Sequence, residues 1–155
     1  MGGGYNLYTF VDDFMTSHKN AGGIGIPLIT FGSNGHITKP EGGVLENYTR
    51  CRNKSGRKCV KSICDPLKVL ASPMNKAVYR RGYYTLTEDG EIMPGTYTDV
   101  EIKKVRINHY PVKSREEFIA KRERGKADRP GKWPMEYFEV YDANDCEDTE
   151  ILSYV

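Results

Sequence analysis

Between Ile107 and Gly125 the chain has few ways to fold. Val105 and Ile107 alternate with polar neighbours, which is the period of a half-buried strand. Pro111 ends that strand, because it has no N–H to give to a ladder. Ser114 with Glu117 three residues on is a capping box, each side chain accepting a backbone N–H left orphaned at a helix start. Phe118 and Ile119 open the apolar face of the helix, and Gly125 stands where a left-handed stop is expected. The pattern places His109 at a strand end and Lys113 just before a helix N-terminus. Free N–H groups and the helix dipole make such a corner attractive to an anion.

The rest of the chain is consistent with one domain spanning residues 1–155, long enough to build a core. Leu7, Phe10, Val11, Phe14 and Met15 recur at helical spacing, so an amphipathic helix is expected up to the Gly22-Gly23 break. Asp12 and Asp13 point about 100° apart on such a helix, which suits a solvated face better than a shared ion. Ile24 to Phe31 reads as a core strand, Gly32-Ser33-Asn34-Gly35 as a turn, and Val44 to Arg50 as a second strand. Val60 to Cys64 is a further strand closed by Asp65-Pro66. Tyr83 to Thr87 and Glu91 to Met93 form a hairpin around Glu88-Asp89-Gly90. Lys126 to Pro134 is a surface crossing, Met135 to Tyr141 a short helix or strand, and the C-terminus a short helix at best.

Charge and hydropathy exclude some functions. A net charge of +2 is too small to argue for nucleic acid, although Arg50, Arg52, Lys54, Arg57, Lys58 and Lys61 form a basic patch whose simplest account is a solvated hairpin tip. Mean hydropathy is −0.62, and no apolar run approaches the ~20 residues that span a bilayer. Met1 to Tyr5 has no signal-peptide pattern, and Asn6 stands where a myristoylation motif wants Ser or Thr. A cytoplasmic location, or one peripheral to a membrane, is expected. Cys51, Cys59 and Cys64 are separated by seven and then four residues, with Cys146 far downstream. These are not the short pairs of a zinc site, so reduced, partly buried thiols are the expectation, with a zinc knuckle as the alternative.

Four stretches carry a family resemblance: "TFGSNGHITKPEGGVLENYTR", "KCVKSICDPLKV", "INHYPVKSREEFIAKRERG" and the closing "EYFEVYDANDCEDTEILSYV". In this order they resemble the C-terminal part of glycosyltransferases with a GT-A-type fold, the family 92 and family 2-like enzymes of the "domain of unknown function 23" type. Where that family usually has a Trp, Leu28 stands here. The resemblance implies an α/β (α+β) fold, a mixed and largely antiparallel sheet with flanking helices, forming the acceptor-side half of the enzyme. The nucleotide-binding half with its Asp-x-Asp motif has no counterpart in the chain, which implies a fragment or a partner chain supplying it.

The same resemblance suggests roles for individual residues. It implies His109 as a ligand of a Mn²⁺ or Mg²⁺ that offsets charge on the departing nucleoside diphosphate. Lys61, Lys113 and Ser114 become donor or diphosphate contacts. Glu46 becomes the base that takes the acceptor hydroxyl's proton. His36, Tyr48 and Tyr110 would line the acceptor pocket, with Trp133 as a further stacking surface. The expected partners are a nucleotide sugar and a glycan or lipid-linked acceptor. The alternatives are a non-catalytic carbohydrate or sugar-nucleotide-binding module and, behind it, a nucleic-acid-binding domain.

Overall fold

The computed structural model describes residues 6–73, 75, 77–127 and 129–154. The signal-peptide and myristoylation readings at Met1 to Tyr5 therefore fall outside the described residues. In chain order the elements begin α1 (Leu7–Ser17), β1 (Ala21–Thr30), α2 (Val44–Asn47), β2 (Arg50–Cys51), β3 (Lys58–Cys64), β4 (Val69–Ala71) and β5 (Val78–Tyr79). They continue with β6 (Tyr84–Leu86), β7 (Tyr97–Thr98), β8 (Ile107–His109), α3 (Arg115–Arg124), α4 (Met135–Tyr141), β9 (Cys146–Glu147) and a closing 3₁₀ turn, Glu150–Tyr154. The fold is α/β, a mixed and mostly antiparallel sheet with flanking helices. The chain divides into two compact units, residues 1–28 with 56–107, and residues 29–55 with 108–155.

The first unit is built on β1, in the strand order β6-β1-β3-β7. β1 runs antiparallel to β3, with Gly25 opposite Ser62, and parallel to β6, with Ile24 opposite Leu86. Ile24, Ile26 and Leu86 pack with Phe10 and Phe14 of α1, and Ile63, Val105 and Ile107 close the cluster. Each large side chain buried here contributes about 1.5–3 kcal/mol. Asn6 caps α1 by accepting the Thr9 N–H at 3.0 Å. Asp12 and Asp13 are exposed, as a solvated face requires.

Gly22 and Gly23 do not break the chain, as their composition suggested, but run inside β1. The reason lies in Tyr79. A Cβ on Gly22 would strike its ring, and one on Gly23 would stand 2.6 Å from its hydroxyl and 2.7 Å from the Ile63 carbonyl. Glycine in a strand interior here marks a close approach by other atoms. The Glu88-Asp89-Gly90 hairpin forms as expected, with Thr87 N–H donating to the Glu91 carbonyl at 2.7 Å.

The second unit holds the capped helix. Ser114 and Glu117 complete both halves of the capping box, and Gly125 has a positive φ of 85°. Phe118 is fully buried against Phe138 and Val112, whereas Ile119, expected on the same apolar face, is exposed. Val44 to Arg50 is not a strand: it forms the single turn α2 and then β2. The turn at 32–35 is real, with φ of 53° at Asn34 and 79° at Gly35. Its backbone is held by the tail, Ser33 N–H donating to Asp142 Oδ1 at 2.6 Å and Asn34 N–H to Asn144 Oδ1 at 2.9 Å.

Candidate functional site

Two places in the molecule have the makings of a site. One is the corner ahead of α3. Glu117 is its centre: Lys113 Nζ donates to Oε1 at 2.5 Å, and Tyr48 Oη at 2.5 Å and Ser114 Oγ at 2.9 Å both donate to Oε2. The Ser114 N–H in turn donates to Tyr48 Oη at 3.1 Å. Burial pushes the Glu117 carboxyl up, but hydrogen bonds from Lys113, Tyr48 and Ser114 outweigh it and hold the pKa at about 2. Burial pushes the Tyr48 hydroxyl up, and its bond to Glu117 adds to the effect. The His36 ring meets Tyr48 edge-on, with centroids 5.6 Å apart. His36 Nε2 lies 3.2 Å from the Asn47 carbonyl, and its own carbonyl accepts the Arg115 N–H at 3.1 Å.

His36, Tyr48, Lys113 and Ser114, from two distant stretches, are thus brought together. Their chemistry differs from the expectation. Ser114 is fully buried, and both its hydroxyl and its N–H are spent on the cap, so no donor is left for a diphosphate. Lys113 is partly exposed, but its charge is matched by Glu117. Tyr48 is 2% exposed and offers no face to a sugar. Tyr110 stacks obliquely on Phe31, with centroids at 4.8 Å. Trp133 is half-buried, with Lys121 and Lys126 over its ring at 5.0 and 5.1 Å.

His109 ends β8 half-buried, and its carbonyl accepts the Phe31 N–H at 2.8 Å. Among the described residues no three His, Cys, Asp or Glu side chains gather as a cation site needs. The described residues therefore supply no complete ligand set of their own for a divalent ion or a zinc knuckle. Glu46 is exposed on α2, its carboxylate folded back over Gly43. Lys61 belongs to the first unit, where it is exposed on β3 and donates to Asn75 Oδ1. In the basic patch Lys58 is buried, bonded to the Gly56 carbonyl at 2.8 Å, and Lys54 pairs with Asp148 at 2.6 Å. Lys58 is structural rather than solvated, whereas Lys54 stays exposed while its ammonium meets the buried Asp148 carboxylate.

The second place was not anticipated. Within the first unit lies a pocket of about 220 Å³, lined by Val60, Ser62, Asn75, Ala77, Tyr79, Tyr83, Tyr84, Thr85, Ile92, Met93, Gly95 and Thr96. Met93 lines one side of it, its methyl seated over Gly25 of β1, where a Cβ would collide with that methyl and stand 3.0 Å from Val60. Tyr79 is fixed by its hydroxyl, 2.9 Å from Thr85 Oγ1 and 3.2 Å from Cys64 Sγ. Burial, then the neighbouring Cys64, pushes that hydroxyl's pKa up to about 12, so it stays protonated. No described lining residue is charged. The sequence signals that point here are the Gly22-Gly23-x-Gly25 run inside a strand and the cluster Tyr79, Tyr83, Tyr84.

No family model, no curated protein and no solved structure matches the chain. Among the described residues, no helix is long and apolar enough to cross a membrane.

Proposed function

We propose that this chain is the sugar-holding part of a glycosyltransferase, working with a nucleotide-binding half supplied by a partner chain or a further segment. The observation that supports it is the uncharged, tyrosine-rich pocket of the first unit. A pyranose ring has an apolar C–H face and a rim of hydroxyls. Tyrosine faces suit the first, and the Ser62, Thr85 and Thr96 hydroxyls suit the second. At about 220 Å³ the pocket suits one ring rather than a chain of them.

The donor side has no such support within the chain. A diphosphate wants unpaired cations, and Lys113 is already matched by Glu117. The nucleotide, and any divalent ion that neutralises the leaving diphosphate, would be held by the other half. On the resemblance alone, Glu46, an exposed carboxylate of the second unit, stays the proposed base. The second reading is a non-catalytic carbohydrate-binding module, which the same pocket favours; it differs in transferring nothing when the donor half is supplied.

A melting-temperature panel tests the proposal. Neutral monosaccharides at ten times Kd stabilise the fold by about 1.4 kcal/mol, a rise of roughly 3–6 °C. Nucleoside diphosphates, with or without Mn²⁺, leave the melting temperature unchanged. No response to any neutral sugar removes the proposal. A nucleotide response that needs Mn²⁺ and is lost in His109→Ala would instead restore His109 as a metal ligand.

A further inference from the structure

Cys51 and Cys146 are separated by 95 residues in sequence, yet their sulfurs lie 3.5 Å apart. They are direct partners in the antiparallel pairing of β2 with β9, where Arg50 faces Glu147 and Cys51 faces Cys146. Direct partners in an antiparallel pair have Cα atoms about 4.5–5.5 Å apart, inside the 4.4–6.8 Å range of disulfides. Both side chains stand on one face of the ladder, so closing the bond needs the sulfurs to move together by roughly 1.5 Å. The other two thiols have no such partner. Cys59 and Cys64 lie on one strand five residues apart, hence on opposite faces, and contact Asn75 and the Tyr79 hydroxyl respectively.

We propose that Cys51 and Cys146 are a dithiol–disulfide site, closed by exchange with a small-molecule disulfide such as glutathione disulfide. The half-buried Cys146 is the entry point, since Cys51 is fully buried. Its thiolate attacks one sulfur of glutathione disulfide, the S–S bond breaks, and one glutathione leaves as thiolate. Cys51 then loses its proton and attacks Cys146 Sγ, expelling the second glutathione. Two protein thiols are oxidised and one glutathione disulfide is reduced to two thiols. Burial, reinforced by the neighbouring Cys146, pushes the Cys51 thiol up to about 12, so the second step is the slow one and glutathione excess reverses it. Closure ties the C-terminal β9 covalently to β2 across a long loop.

The test is incubation of the full chain with glutathione disulfide, followed by non-reducing peptide mapping and melting. The expected product is a Cys51–Cys146 cross-link, two hydrogens lighter than the dithiol, with the melting temperature raised by roughly 5–10 °C. Cys51→Ser should stall as a glutathione adduct on Cys146, while Cys59→Ser and Cys64→Ser should close like the wild type. Stable glutathione adducts on wild-type Cys146 without cross-linking, or links involving Cys59 or Cys64 instead, would overturn the proposal.

Discussion

Lys113 Nζ stands 2.5 Å from Glu117 Oε1, one helical turn along the chain, so the lysine that heads α3 is tied to the helix it precedes. A lysine placed to meet an anion from outside has found one inside. The pair explains why the corner ahead of α3 is a structural joint. The glutamate gathers the ammonium, the Tyr48 hydroxyl and the Ser114 hydroxyl into one arrangement.

That arrangement makes stability depend on acid. The folded-state pKa of Glu117 is depressed to about 2, against an unfolded value near 4.3. Its contribution is therefore fully present above about pH 4.3 and is lost as the pH falls towards 2. Urea unfolding of the wild type between pH 5 and 2 should show this loss, and Glu117→Gln should flatten that part of the curve. At neutral pH, Glu117→Ala removes the capping box and the partner of Tyr48, and should cost roughly 1–3 kcal/mol. Parallel pH profiles for wild type and Glu117→Gln would contradict the assignment.

The backbone of Lys113 has φ of 57°, a region that a bulky residue seldom occupies. Lys113→Gly relieves that conformation while giving up an ion pair that is partly exposed, so its stability should stay within about 1 kcal/mol of wild type. Lys113→Val loses the pair and adds a β-branched side chain at positive φ, and should cost ~2 kcal/mol or more. Chemical denaturation of the two variants checks the order; equal losses would show that the backbone conformation is not the controlling factor.

Two glycines of the first unit make a matched comparison. At Gly23 a Cβ would press on the Ile63 carbonyl, which belongs to the strand ladder and cannot swing aside. Gly23→Ala should lower stability by roughly 2 kcal/mol, through overpacking. At Gly95 a Cβ meets open space, and φ is not in the left-handed region, so Gly95→Ala should be neutral or stabilising by about 0.4–1 kcal/mol. Thermal melts of both variants measure the contrast.

Local signals carried most of what the sequence revealed. The capping box, the proline stop before it and the Glu88-Asp89-Gly90 hairpin are short-range patterns, and they form as written. Residues 44–50 misled because Leu45, Asn47 and Thr49 alternate like a strand, while one helical turn buries Tyr48 beneath α3's cap instead. Gly22 and Gly23 misled because glycine reads as a break until the Tyr79 ring that replaces their side chains is known. The pocket was illegible for the same reason. Its walls come from three strands and three connecting segments, and only the β1 register shows that Ser62 faces a glycine. Of the aromatic residues expected to face a sugar, Tyr48 is buried beside His36, while Tyr110 and Trp133 stay half-buried, the first against Phe31 and the second under two lysines.

The most direct test of the proposed function is ligand-observed saturation-transfer NMR with an uncharged pyranose on the wild type and on Tyr84→Ala. Tyr84 lines the pocket and is 43% exposed, so its removal should lower the melting temperature only modestly and leave the protein folded. Magnetisation should pass from the protein's aromatic protons to the ring C–H protons of the sugar in the wild type, and fall at least several-fold in Tyr84→Ala. No transfer in the wild type, or equal transfer in both proteins, would contradict a sugar seated in this pocket.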